Sequence, residues 1–514
     1  MEVQVLIVGA GPAGLAAAIE LGHRGVSCLV VEQHDRVGVA PRAKTTNVRT
    51  REHLRRWGIA DKLAAASPLG VDYPSNIVFA TRLTGFELCR FENASYCAPG
   101  KNPLYSEHGQ WIPQYELEKV LKAHAESLPG VRIQFGRRLE SFTQDASGVR
   151  ARVGDQTIDS KYLIGADGAR STVRSLIGAA MSGATLARHC NTVFRAPGIS
   201  SAHRLGPATM YWLVNREAPS LTGPMDKDDI WFFGATLPEG KKLEGEGAKQ
   251  LIRQASGVEL PIELLSNDEW VASRLLADRY RDRRVFLAGD ACHVHPPFGG
   301  YGMNMGIADA VDLGWKMAAV LQGWGGPRLL ESYEVERRPV HEFVMDEAVA
   351  NHALLPTHMW RAGLEDASPA GERLRRELGA QIKTAKIREF NTLGVVLGYS
   401  YSGSPLVVDD GSAPPPRHFK DYVPSAHPGC LAPHAWLADG SSLYDHFGAG
   451  FTLLVTDEAA APGVNTRVPL KILREPSVRD LYQARLALIR PDQHVAWRGD
   501  ALPHDVFDRA TGAS

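Results

Sequence analysis

The feature that most constrains this chain is its beginning. Val3–Val8 (VQVLIV) has the pattern of a short buried strand, and it runs straight into GAGPAG, Gly9 to Gly14. An apolar helix pattern continues to about His23, followed by a second strand over Ser27–Val31 and then Glu32. A G-x-G-x-x-G between strand and helix, with an acid closing the next strand, specifies a β-α-β unit of a parallel sheet built to hold a dinucleotide. Gly9 allows the tight turn, Gly11 lets a pyrophosphate approach the backbone, and Gly14 lets helix and strand pack closely. Glu32 is placed to accept from ribose hydroxyls. The competing reading is a parallel-sheet crossover without a ligand. The motif by itself does not choose between a flavin and a nicotinamide dinucleotide.

A second stretch has the same design. Arg284–Leu321 opens as an apolar strand (Val285–Ala288), breaks at Gly289 and presents Asp290. A loop with Pro296, Pro297, Gly299, Gly300 and Gly302 follows, and from about Met303 an apolar helix begins. Bare glycines let the backbone come close to a flat or phosphorylated ligand. A helix start offers unpaired N–H groups to negative charge. A third stretch repeats the logic: GADGARSTVR puts Asp167 and Gly168 at a strand end, with Ser171 and Arg174 on the helix after it. There the competing reading is a capped helix start.

These stretches resemble the flavin-contacting motifs of the class A flavoprotein monooxygenases, the family with the para-hydroxybenzoate hydroxylase fold. The resemblance implies that Asp290 holds the ribityl chain of FAD, and that Gly302, Met303 and Asn304 face the pyrimidine end of its ring system. It implies that Pro297 presents its carbonyl near the reacting ring, on the cofactor and the substrate side alike. It sets Arg42 beside the flavin or its pyrophosphate, Gln114 against FAD, and Asp167 against FAD and the passing nicotinamide. Tyr301 departs from the polar residue common at its place in the family.

The chain has 514 residues, more than one ordinary core holds. The expected fold is α/β: a Rossmann-like FAD-binding domain (1–70, 111–184 and 276–404), an inserted β-rich substrate domain (71–110 and 185–275), and a C-terminal domain (405–514). Residues 70–110 and 185–275 alternate in the manner of strands. The second of these segments carries Tyr211, Trp212, Trp231, Phe232 and Phe233. Most of these belong to a sheet core, and Tyr211 and Phe233 are the candidates for an apolar ceiling over the flavin. Thr45–Arg56 reads as an amphipathic helix with Arg49, Arg51, Arg55 and Arg56 on a solvated face. Pro414–Pro416 mark a linker before the tail. The tail resembles the thioredoxin-like domain of the phenol and polyketide hydroxylase branches, but it has no CxxC, so thiol redox chemistry is not expected.

A formal net charge of −1 argues against a nucleic-acid partner or an anionic membrane surface. Six scattered cysteines suit a reducing compartment, and no targeting segment is read, so a cytoplasmic protein is expected, monomeric or a homodimer. Cys292, His293 and His295 have ligand-like spacing, yet no second Cys/His cluster completes a metal site. The resemblance implies a cycle in which NAD(P)H reduces FAD and O₂ adds at C4a. The resulting hydroperoxide then hydroxylates a phenol or polycyclic polyketide. The alternatives are Baeyer–Villiger insertion, epoxidation or dehydrogenation on the same scaffold, or a flavoprotein that sequesters an aromatic drug. No side chain earns a catalytic role from spacing.

Overall fold

The computed structural model describes residues 1–35, 43–237, 243–458, 464 and 466–514. Its organising sheet has Glu2–Val8 near the middle. Neighbours run in the order Arg281–Asp282, Val285–Leu287, Gln156–Gly165, Glu2–Val8, Cys28–Val31, Val131–Gln134. From Val285–Leu287 to Val131–Gln134 every pairing is parallel. Strands covered on both faces need unbroken apolar runs, and VLIV, CLVV and VFL supply them. A hairpin of Leu139–Gln144 and Val149–Val153 hangs from the Gln156–Gly165 strand.

Helix Pro12–His23 packs on helix Tyr301–Leu321. The approach needs a glycine, because a Cβ on Gly314 would lie 2.6 Å from the Glu20 side chain. Glu20 is itself fully buried, bonded by Arg24 at 2.8 Å, Arg56 at 2.7 Å and the Trp57 indole N–H at 2.9 Å. Burial pushes its carboxyl up, but the two arginines outweigh that and hold it at about 2.

The inserted region forms a second sheet. Its order is Glu87–Phe91, Ile77–Ala80, Met210–Leu213, Ser220–Pro224, Ile230–Thr236, Met181–Arg195, Glu263–Ala277 and His293–Val294. The last strand belongs to the loop after Asp290, where Val294 pairs with Leu275 and His293 with Leu276. One edge of the aromatic sheet is therefore hydrogen-bonded to the glycine/proline loop. Helices Ser332–His352 and Pro369–Phe390 brace the two sheets.

The tail forms a third, mixed sheet. Phe451–Val455 runs parallel to Leu470–Arg474 and antiparallel to Leu486–Ile489, which pairs with Val495–Gly499. Cys430 is buried, and burial raises its thiol pKa. Among the described residues no helix is long and apolar enough to cross a membrane.

The expectation for the arginine helix needs correcting. The helix is Val48–Arg56, and Arg49 and Arg51 are 3% and 2% exposed. Arg49 donates to Glu52, Gln493 and the Asp492 carbonyl; Arg51 donates to Glu107, Gln110 and the Ala60 carbonyl. A buried guanidinium survives only with such partners. They lie as far as 444 positions away, beyond any helical period.

Candidate functional site

The carboxyl ends of four adjacent parallel strands carry the motifs. Glu32 follows Cys28–Val31, the GAGPAG turn follows Glu2–Val8, Asp167 follows Gln156–Gly165, and Asp290 follows Val285–Leu287. Register fixes them at one level, since Val8 pairs with Val31 and Gly165, and Gly165 with Leu287. Ligands of open α/β sheets bind outside this edge.

The turns also touch. Gly9 has φ +107°, and a Cβ there would meet the Ala166 carbonyl oxygen at 2.3 Å. A Cβ on Gly14 would meet the Gly9 oxygen at 1.9 Å. Gly289 and Gly306 press on each other and on Ala13, with a Gly306 Cβ at 3.1 Å from the Gly289 Cα. Arg174 ties the Asp167 and Asp290 turns, donating to the Ala291 carbonyl at 3.0 Å and the Ala169 carbonyl at 2.8 Å.

Both helices that begin here are uncapped. Pro12–His23 follows Gly11, and Tyr301–Leu321 follows Gly300; neither N-cap makes a side-chain bond, and neither first turn has an acid. Their terminal N–H groups and positive ends lack a side-chain acceptor. A Cβ on Gly11 would meet nothing within 4 Å, and one on Gly302 only His295, at 3.7 Å. Open backbone at two uncapped helix starts fits a long anionic ligand with a flat end.

The side chains divide between holding the protein and facing outward. Glu32, half-buried, accepts from Ala10 N–H at 2.9 Å and His34 N–H at 3.0 Å, which fixes it under the glycine turn with further lone pairs spare. Asp290 is exposed on its 3₁₀ turn. Asp167 accepts from the Ser171 hydroxyl and from Val173 N–H at 3.0 Å, so it caps the helix Thr172–Leu176; burial raises its pKa. Gln114 opens its helix and clasps Ala43 from both sides, accepting from Ala43 N–H at 3.1 Å while its own N–H reaches the Ala43 carbonyl at 2.9 Å. The Asn304 side chain is spent internally: it accepts from Asn47 N–H and donates to the Thr45 and Gly300 carbonyls. Only its backbone remains for a ligand. Met303 is half-buried beside it. Pro297 is exposed, and its carbonyl accepts from Gly300 N–H at 3.2 Å. Arg42 lies outside the described residues.

Tyr211 and Phe233 need correction. Both are 1% exposed and sit in the core under helix Gly245–Ser256, where Tyr211 stacks on Trp231 and its hydroxyl bonds the Gly206 carbonyl at 2.6 Å. Strand side chains alternate, so their neighbours take the other face. Trp212 lies 6.3 Å from Phe298 of the glycine/proline loop, and Phe232 lies 6.4 Å from Trp111. Only the register distinguishes the two pairs.

Cys292, His293 and Asp309 have ligand atoms within 4.8 Å of one another. The third member comes from the helix, which motif spacing does not reveal. Asp309 is already engaged by His293 at 2.6 Å, Arg337 at 2.8 Å, His341 at 2.9 Å and Gly289 N–H at 3.0 Å. A guanidinium in that shell opposes a metal cation. The centre instead fixes Gly289 to two helices.

Comparison with known proteins agrees with this geometry. Residues 2–348 match the family described as FAD binding domain, and 425–513 match the aromatic-ring hydroxylase C-terminal family. The chain is 34% identical to tetracenomycin A2 monooxygenase-dioxygenase of Streptomyces glaucescens, over 98% of this chain and 94% of that protein. It is 32% identical to phenol 2-monooxygenase of a Pseudomonas species, over 100% and 93%. The rebeccamycin biosynthetic enzyme RebC with reduced flavin superposes with a TM-score of 0.91 at 34% identity, covering 100% of this chain and 99% of that one. A ternary complex of aklavinone-11 hydroxylase with FAD and aklavinone gives 0.83 at 30% identity, covering 99% of each. The site's dinucleotide is FAD, the tail is the C-terminal domain of the aromatic-ring hydroxylases, and this chain belongs to the FAD-dependent members of that family.

Proposed function

We propose that the protein is a monooxygenase that consumes NAD(P)H and O₂ to hydroxylate a phenolic or polycyclic, polyketide-like aromatic substrate. The observation that carries this is the convergence of four strand ends and two uncapped helix starts beside an aromatic sheet. FAD, when bound, supplies the redox chemistry: it accepts a hydride and activates oxygen. Residues 1–70, 111–184 and 276–404 hold the cofactor, 71–110 and 185–275 form the substrate wall, and 405–514 brace both.

This chain's residues would do the rest. Gly9, Gly11 and Gly14 admit the pyrophosphate to the first helix start, and Glu32 binds the adenosine ribose. Asp290 takes the ribityl hydroxyls. The backbone N–H groups of Gly302, Met303 and Asn304 stabilise negative charge at the pyrimidine end. Asp167 and Gln114 act at one remove, by shaping the helix start and the Ala43 segment. The Trp212 and Phe232 face of the sheet keeps water from the reacting ring. The names of the relatives, acting on tetracenomycin and phenol, support an aromatic substrate.

The test is to supply the yellow protein with NADH or NADPH and a panel of phenols and hydroxylated polycyclic quinones. Substrate-stimulated NAD(P)H oxidation, with one oxygen from labelled O₂ in the product ring, is expected. Turnover that leaves the ring unlabelled would overturn the hydroxylase reading.

A further inference from the structure

Lys44 lies at the seam between the cofactor loop and the aromatic sheet. Its carbonyl accepts from Ile112 N–H at 2.8 Å, and its neighbour Thr45 pairs with Trp111. The Thr45 side chain lies 3.3 Å from where a Cβ on Gly300 would stand, and its carbonyl accepts from Asn304 at 2.9 Å. The Lys44 backbone is thus pinned one residue from the start of the helix Tyr301–Leu321.

The side chain reaches toward the sheet, and Nζ stands 4.1 Å from the centroid of the Phe232 ring. Among the described residues Lys44 makes no ion pair and no side-chain hydrogen bond. This contrasts with the buried Arg49, Arg51, Arg337 and Arg490, each of which has carboxylate partners. A ring face offsets part of an ammonium's charge but offers no lone pair. A second donor borders the same Phe232 ring: the Trp111 indole N–H is buried with no partner among the described residues, and the Trp111 ring lies 6.4 Å from Phe232. Lysine ammonium and indole N–H donate only. What both lack is an oxygen acceptor, and a half-buried cation favours an anionic one. Burial alone pushes the Lys44 pKa down to about 8, so the group is charged at neutral pH and ready to be stabilised by an anion.

We infer that Lys44, with the Trp111 N–H beside it, receives the ionised hydroxyl of the aromatic substrate and holds it as the phenolate while the ring is oxygenated. The phenol proton leaves to solvent on binding, and no other bond changes. The inference rests on the functional reading above and adds the substrate's ionisation state to it. Lys44 positions and polarises the substrate oxygen; it does not supply the oxygen that is transferred. An ionised hydroxyl makes its ring a stronger nucleophile, so the same contact serves binding and rate.

The probe is alizarin, a hydroxylated anthraquinone whose absorption moves to the red on ionisation. Titrated on the FAD-loaded wild type, bound alizarin is expected to ionise about one pH unit or more below its free midpoint. Lys44→Arg should keep most of that shift. Lys44→Met should abolish it and raise KM for phenols by about tenfold, with the FAD spectrum intact. A merely structural lysine would leave the bound midpoint alone. An unshifted midpoint in the wild type, or a shift that survives in Lys44→Met, overturns the inference. So does a Lys44→Met effect confined to KM for NAD(P)H, which would assign the lysine to a coenzyme phosphate. If phenols stimulate NAD(P)H oxidation in the wild type while the midpoint stays unshifted, only the inference falls. If no phenol stimulates it, the functional reading falls as well.

Discussion

At the scale of single residues, two glycines of one motif do different work. A Cβ on Gly14 would overlap the Gly9 carbonyl oxygen, whereas a Cβ on Gly11 meets no atom of the described residues within 4 Å. Gly11 has φ −76°, a conformation open to any residue. Gly11→Ala should therefore leave the apoprotein's thermal midpoint unchanged and weaken FAD binding by about tenfold or more. Gly14→Ala should destabilise apo and holo forms alike, by about 3 kcal/mol. Thermal denaturation with and without FAD, and flavin titration, separate the two. A Gly11→Ala apoprotein that melts well below wild type would refute the assignment of that gap to the ligand. Spacing alone named both glycines, because the chemistry of a tight turn is local. It could not name Lys44, whose distinction is that no described residue partners it in three dimensions. Nor could it choose Phe232 over Phe233, because a strand's period gives two faces and only its neighbours say which one is inward.

At the scale of elements, the helix pair Tyr301–Leu321 and Ser332–His352 is joined through Asp309 and His341. Burial works against the Asp309 charge, yet His341, His293 and Arg337 together hold its carboxyl well below the usual range. His341 is the opposite case. Burial lowers it to about 3, with His293 and Arg337 opposing its charge and Asp309 favouring it. It is therefore neutral, with Nε2 2.9 Å from the Asp309 carboxylate and 3.2 Å from the Arg337 guanidinium, and Nδ1 2.8 Å from the Tyr280 hydroxyl. His295 faces the same cluster and is likewise pushed down by burial. An unfolded chain protonates these rings below about pH 6.5, and the folded one does not. Stability should be complete above that pH and fall steadily as the solution is acidified toward the folded-state pKa values. Thermal midpoints taken from neutral to mildly acidic pH should decline before the carboxylates titrate, and His341→Gln should flatten part of the slope. Equal slopes in wild type and variant would rule out this source. The sequence showed the CHVH run and suggested metal spacing. Its true partner, Asp309, comes from a separate helix, and no local pattern marks that encounter.

At the scale of the whole molecule, the tail is fastened to the cofactor-binding helices through buried charge. Arg490 reaches Glu336 at 2.7 Å, Asp312 at 3.2 Å and Asp492 at 2.7 Å, and Lys316 bonds Asp312 at 2.8 Å and Glu336 at 2.5 Å. Burial raises Asp312, so that group needs its cations most; Glu336, equally buried, is held down by Arg490 and Lys316. Arg49 adds a bond to Gln493 from the helix beside the cofactor loop, and Trp315 of the long helix packs into the tail's core with Phe451 and Trp497. The Pro-rich linker divided this tail from the rest in sequence, and the tail forms its own sheet. Its attachment was not legible, because Arg490 and Glu336 stand 154 positions apart. Removing the arginine leaves three carboxylates facing a single lysine, and a buried charge stripped of its partner costs about 3–5 kcal/mol. Arg490→Met should therefore lower the thermal midpoint of the entire chain, with flavin release and exposure of the tail tryptophans moving together. Flavin fluorescence and near-ultraviolet circular dichroism on one sample measure both. If the tail melted in the variant while flavin stayed bound to higher temperature, tail and cofactor site would be separate cooperative units, and the buried charges would be only a local clasp.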